Sequence, residues 1–188
     1  MIMVSALTHK ETKIVNCLKT PVKITDPNSG KTVETLGIWD TGATNSVITK
    51  SIASKLGLIP IQMTNVRGVH GVKLVNVYRV SMTLNNENIT LTTLVTECDA
   101  LNDVDDTGML IGMNVINMGD LCISNFDGKT MLTFRTPSLE TVDYVAEIAE
   151  YNHFHKIHQA QMRHGNEKCP CGSGKKFKNC HANNKYNR

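Results

Sequence analysis

Two stretches of this chain each hold a pair of β-prone runs broken by a tight turn, and they commit it to a fold made of hairpins. In VKITDPNSGKTVETLGIW the runs meet at Asp26-Pro27-Asn28-Ser29-Gly30, and in YRVSMTLNNENITLTTLV at Asn85-Asn86-Glu87-Asn88. Proline pre-sets one backbone angle, glycine supplies a left-handed one, and Asn or Asp bonds its own backbone, so each turn has a physical cause. Short runs rich in Val, Ile, Thr and Leu continue from residue 14 to 137 with no long-period repeat. Strands that follow one another so closely form a closed or sandwiched sheet, and the fold class is all-β. The exception is TKSIASKLGLIP, where Thr49 or Ser51 can cap a short helix stopped by Gly57 and Pro60.

At 188 residues, 40% hydrophobic and 20% charged, the chain has room for one ordinary core and an appendage, at about 150 residues per domain. A net charge of +3 is too small to imply nucleic-acid binding by itself, although CGSGKKFKNCHANNKYNR is locally basic. The first residues carry no basic region followed by a long apolar run, and no later run approaches a membrane span. The expectation is a cytoplasmic protein without membrane contact. Of six cysteines, Cys169, Cys171 and Cys180 crowd into twelve residues, whereas Cys17, Cys98 and Cys122 are scattered in apolar contexts. Clustered thiols in such a setting point to metal, and scattered ones to small buried residues.

Beyond Pro137 the pattern changes to one helix, starting at Ser138 and ended by Gly165. Its apolar residues Leu139, Val142, Val145, Ile148, Tyr151, Phe154 and Ile157 recur every three positions, so each step lags a 3.6-residue turn by roughly 60°. Such a stripe winds around the helix. The expectation is that its first half packs on the β domain and its second half on a metal module or a partner.

The stretch GIWDTGATNSVIT places one carboxylate, Asp40, between two apolar runs. Gly37-Ile38-Trp39 reads as a buried strand, Asp40-Thr41-Gly42 as a tight turn and Ser46-Val47-Ile48-Thr49 as the returning strand. An Asp in such a place is commonly a turn former, but this turn also presents its carboxylate on a rigid support. The same letters recur at Asp106-Thr107-Gly108. Asp106 follows the polar LNDVD, which offers no strand to hold it, and reads as a solvated loop residue.

The run around Asp40 resembles the active-site signature of the retropepsin-like aspartic proteases, an apolar pair followed by Asp-Thr-Gly-Ala. MLIGMNVI, 109–116, resembles the family's apolar-apolar-Gly-x-Asn/Asp segment, in which a buried strand runs behind the active-site loop into a helix. Between them VRGVHGVKL lies where the family places its flap, and the resemblance covers 14–137. It implies an acid-protease β-barrel carrying half a site per chain, a homodimer, and a protein or peptide substrate. Asp40 and its symmetry mate would be the catalytic pair on a two-fold axis. Thr41 would send its hydroxyl to the opposite chain's Trp39 carbonyl, and the backbone of Gly42 would bond the peptide. Ala43, Gly68, His70 and Gly71 would lie against substrate, the last three at or near the flap tip. Three positions depart from the family pattern. Where viral members pair an acidic residue with an arginine, this chain has Thr44 and Met113, and Trp39 is bulkier than the usual Leu or Ile.

CPCGSGKKFKNCH matches the SEC-C motif, Cys-x-Cys-x8-Cys-His/Cys. The match implies a small structural zinc module with Cys169, Cys171, Cys180 and His181 as a closed tetrahedral ligand set. About 25 residues cannot bury a core, so the metal would supply the folding free energy. Lys175, Lys176 and Lys178 remain as a basic face. The chain then reads as a tail, 1–13, a retropepsin-like protease domain, 14–137, a helical linker, 138–164, and a SEC-C module, 165–188. The expected function is a homodimeric aspartic endopeptidase that needs no metal for catalysis. Its zinc tail would recruit the substrate or a partner, an acidic protein, a ribosome or a nucleic acid. The alternative is a non-catalytic adaptor using the same two modules to dock to a chaperone, ribosome or nucleic acid.

Overall fold

The computed structural model describes residues 3–68, 71–84, 88–101, 106–161, 166–169 and 171–180, with the backbone alone for 156–161. The strands are β1 Ser5–Lys10, β2 Lys19–Thr25, β3 Thr32–Trp39, β4 Ser46–Thr49, β5 Gln62–Gly68, β6 Gly71–Thr83, β7 Thr90–Cys98, β8 Thr107–Ile111, β9 Asp120–Ser124 and β10 Met131–Thr136. Three helices accompany them: α1 Lys50–Leu56, α2 Met113–Ile116 and α3 Tyr144–Gln161. The chain divides into two compact units, Met1–Glu140 and Thr141–Arg188. Among the described residues no helix is long and apolar enough to cross a membrane.

The larger unit is a closed barrel. Its sheet runs β2-β3-β8-β4-β7-β6, and pairing of β2 with β6 at Lys23↔Thr83, Ile24↔Met82 and Thr25↔Ser81 closes the ring at six strands. Strand β5 continues the sheet outward from β6 as a hairpin, and β1-β10-β9 form a separate three-stranded sheet. The barrel interior is filled from alternate positions, as the two-residue period of a strand requires. Val22 and Ile24 from β2, Val80 and Met82 from β6, and Met109 and Ile111 from β8 are all essentially out of contact with water. Burying each such side chain stabilises the fold by about 2 kcal/mol before ordering costs.

Both hairpins expected from the sequence form. At the first turn the Asp26 carboxylate accepts from the backbone N–H of Asn28 and Ser29 and from the Ser29 hydroxyl, and Gly30 takes a φ of 71°. The second joins β6 to β7 with Thr83 opposite Thr90. Of its turn, residues 85–87 lie outside the described residues. The α1 helix is capped by Thr49, whose hydroxyl accepts from Ile52 N–H, and ends at Gly57 with φ 69°. It turns Ile52, Ala53 and Leu56 into the core.

Two expectations are corrected. The segment expected as a tail, 1–13, contains a strand, because β1 pairs along its whole length with β10, Ser5 opposite Thr136 and Lys10 opposite Met131. Only Leu7 of β1 is buried, so the sequence carries almost no alternation there, and the partner strand lies at the far end of the unit. The long helix starts at Tyr144 rather than at Ser138. Ser138 is engaged elsewhere: its hydroxyl and the Leu139 N–H both donate to Asp120, which also pairs with Arg135. Those donors, Ser138 first, hold the Asp120 carboxyl at about 2. The helix takes Asp143 as its cap instead, through bonds from Val145 and Ala146 N–H to Oδ1.

Candidate functional site

Asp40 follows the last residue of β3, where that strand runs parallel to β8 with Trp39 opposite Ile111. Its backbone N–H donates to the Ile111 carbonyl at 3.0 Å, and its half-buried carboxylate accepts the Gly42 N–H on Oδ1 at 2.8 Å. The Ala43 N–H returns to the Asp40 carbonyl at 3.3 Å, so the turn is closed by its own backbone. Thr41 and Gly42 are exposed at its crest.

The loop is held from behind by the start of α2. A helix leaves its first backbone N–H groups without intrahelical partners. Here Met113 N–H donates to the Ala43 carbonyl at 2.8 Å and Asn114 N–H to the Thr44 carbonyl at 3.1 Å. Thr44 and Met113, neutral where the viral pattern is charged, are thus at a backbone clasp between loop and helix. Gly112 permits this approach. A Cβ there would stand 2.6 Å from both the carbonyl carbon and oxygen of Asn45 and 2.9 Å from the Ala43 oxygen. Since φ at Gly112 is −93°, the requirement is for space and not for an unusual backbone angle.

Asn114 joins the loop to two further elements. Its Oδ1 accepts from the Ser46 N–H and hydroxyl, both at 2.8 Å, and its Nδ2 donates to Thr93 Oγ1 at 3.0 Å and the Leu94 carbonyl at 3.2 Å. Ser46, fully buried, accepts the Gly112 N–H at 3.0 Å. In the sequence Asn114 is one letter of the 109–116 motif and Ser46 opens the returning strand, and neither is marked there as a support of the loop. The signal present was a side-chain amide where the chain is otherwise apolar. Replacing Asn114 by Ala strips partners from the buried Ser46, and a loss of about 2 kcal/mol in unfolding free energy is expected in a denaturant titration. A change within about 0.5 kcal/mol, the range of ordinary surface substitutions, would show that this network holds nothing.

Asp106 is exposed, and the Thr107 and Gly108 that follow it open β8. Among the described residues its carbonyl accepts from Leu36 N–H and the Thr35 hydroxyl. This Asp-Thr-Gly begins a strand instead of ending one, and from Asp106 to the Ile111 end that touches Asp40 is roughly 16 Å along the strand. The two carboxylates of one chain cannot share a proton. Strands β5 and β6 form the hairpin expected as a flap, with Gly68 opposite Gly71 and φ at Gly71 of 105°. Met63, Val72 and Leu74 are exposed along it. His70 lies outside the described residues.

In the smaller unit the sulfur atoms of Cys169, Cys171 and Cys180 all lie within 4.8 Å of one another, and Cys171 and Cys180 are 3.6 Å apart. Two thiolates on a tetrahedral zinc ion would be about 3.8 Å apart, so the donor set fits that ion. The knuckle is drawn together by Cys169 N–H on the Lys175 carbonyl at 2.6 Å, with left-handed turns at Gly172 and Gly174. Phe177, from a short 3-10 turn, is buried. The Ser173 hydroxyl leads the contacts that draw the Cys171 thiol down to about 6, while burial pushes Cys169 up to about 11. Lys175, Lys176 and Lys178 are exposed, and His181 lies outside the described residues.

Residues 20–115 match the family described as aspartyl protease, and 166–183 match the SEC-C motif. Among solved structures the chain is similar to a retropepsin-like aspartic protease from Rickettsia conorii, at 14% identity over 72% of this chain and 98% of that one, with a TM-score of 0.44. It is also similar to the EIAV protease complexed with the inhibitor HBY-793, at 20% identity, 54% and 86% coverage and a TM-score of 0.38. A third is the retroviral protease-like domain of Ddi1 from Leishmania major, at 15% identity, 57% and 79% coverage and a TM-score of 0.37. A comparison with curated protein sequences finds no match.

Proposed function

This chain belongs to the aspartyl protease family, and from that membership we propose that it is a homodimeric aspartic endopeptidase whose catalytic pair is Asp40 and its symmetry mate. The observation that carries the reading is the Asp40 turn itself, a carboxylate at a strand end clasped by Gly42 and backed by β8 and α2. A chain with one such turn supplies half of a pair, so two copies complete the site. Carboxylates about 3 Å apart cannot both ionise, and they share one proton. The ionised member takes a proton from water, which attacks the scissile carbonyl carbon, while the protonated member hydrogen-bonds the carbonyl oxygen. The carboxyl that took the proton from water then passes it to the leaving nitrogen as the tetrahedral oxyanion collapses and the C–N bond breaks, which leaves the pair again with one shared proton. Thr41 bonds across the axis to the opposite Trp39 carbonyl, and Gly42 and Ala43 bind the peptide. Gly68, His70 and Gly71 close over it.

In the tail, Cys169, Cys171, Cys180 and His181 would hold zinc, which supplies folding free energy and no catalysis. Lys175, Lys176 and Lys178 give the module a basic face for an acidic protein, ribosomal or nucleic-acid partner. Because the site is built from two chains, specific activity on a peptide library should fall about tenfold per tenfold dilution below the dimer dissociation constant. Constant specific activity in samples that sediment as monomer would rule out the shared site.

A further inference from the structure

We propose that Trp39 is a positioning residue, and that its bond to Thr20 sets the direction in which Asp40 leaves β3; the proposal rests on the protease reading above. The Trp39 ring is turned into the core at 7% exposure, and its Nε1–H donates to Thr20 Oγ1 at 2.9 Å. Thr20 is fully buried. On its other side the ring meets Phe134 of β10, with centroids 5.2 Å apart and planes at 51°. The ring therefore joins the barrel strands β2 and β3 to the middle strand of the three-stranded sheet.

The backbone repeats the connection. Trp39 N–H donates to the Leu18 carbonyl at 3.0 Å, whereas the next N–H, that of Asp40, donates to Ile111 at 3.0 Å. Successive residues are thus anchored toward opposite neighbours, the residue leading into β2 for one and β8 for the other. Side chains alternate across a strand, so the orientation held by residue 39 passes directly to the carboxylate at 40. An aliphatic side chain at 39 would fill space without a preferred direction. The indole adds one bond of defined direction to an acceptor that has no access to water.

The test replaces Thr20 by Val, which keeps the branched shape and removes the acceptor. A misplacement of about 1 Å can cost a reaction about 10²-fold. The expected result is a kcat about tenfold lower with KM unchanged within about twofold, and recovery in Thr20→Ser. In amide-correlation NMR spectra the Trp39 Nε1–H resonance moves, since this is the only tryptophan, and so does the Gly42 amide held by Asp40. A packing defect alone would lower the melting temperature and leave kcat and the Gly42 amide in place, and that outcome overturns the proposal. Should Thr20→Val fail to fold, Trp39→Phe keeps an aromatic ring against Phe134 and removes the N–H. It must give the same kcat loss and Gly42 shift, and an unchanged Gly42 amide again overturns the proposal. If the wild type hydrolyses no peptide, the protease reading fails, while the Gly42 amide still decides whether Trp39 positions Asp40.

Discussion

Asp40→Asn is expected to lower kcat for peptide hydrolysis by about 10³-fold or more while leaving the fold and the dimer intact. Asparagine has nearly the same shape, and its Oδ1 can still accept the Gly42 N–H that binds the aspartate at 2.8 Å. What it cannot do is ionise. In a symmetric dimer the substitution appears twice, so neither member of the pair can take a proton from water, and no charge is left to share. Binding of transition-state mimics with a statine-type hydroxyl should be lost together with activity. Asp106→Asn serves as the control, because that side chain is exposed at the other end of β8. An Asp40→Asn enzyme with wild-type turnover, or an Asp106→Asn enzyme without any, would overturn the assignment. A wild type that binds peptides and never cleaves them would favour the adaptor reading.

On the proposed zinc reading of the tail, chelation is expected to unfold the module and spare the barrel. Apparent binding free energies of about 10–16 kcal/mol are usual for structural zinc, far more than one buried Phe177 can replace. One zinc per purified chain is expected by elemental analysis. After chelation, hydrogen exchange should accelerate at Cys169 N–H and Phe177 N–H, now bonded to the carbonyls of Lys175 and Glu167. Amides of β2, β6 and β8 should stay protected, because their core needs no ion. Cleavage of a short unstructured peptide should continue at its former rate. If chelation abolished that cleavage while dimers persisted, water activation by Asp40 alone would be refuted and a metal-dependent hydrolysis would take its place.

Much of this was legible in the residues. The two hairpin turns, the Thr49 cap, the strand–turn–strand around Asp40 and the thiol cluster are local patterns, each decided by a few neighbouring residues, whereas the helix after Gly112 was expected only from the family resemblance. The start of α3 is the exception, and its reason is not local. Ser138 is a good cap by type, but Asp120, distant in sequence, takes its hydroxyl. A propensity has no access to such a competitor.

By itself the sequence determined where the chain turns, which runs flank those turns as strands and which carboxylate a turn presents, because side-chain period and turn chemistry act over a few residues. Only the tertiary structure decided that β1 belongs to the β unit, that β2 meets β6 to close the barrel, and that Asn114 supports the loop from 68 positions away through Ser46. It also decided why residue 112 has no side chain: the Asn45 backbone occupies the place a Cβ would take. These are matters of register and of volume between segments far apart in the chain, and no local period encodes them.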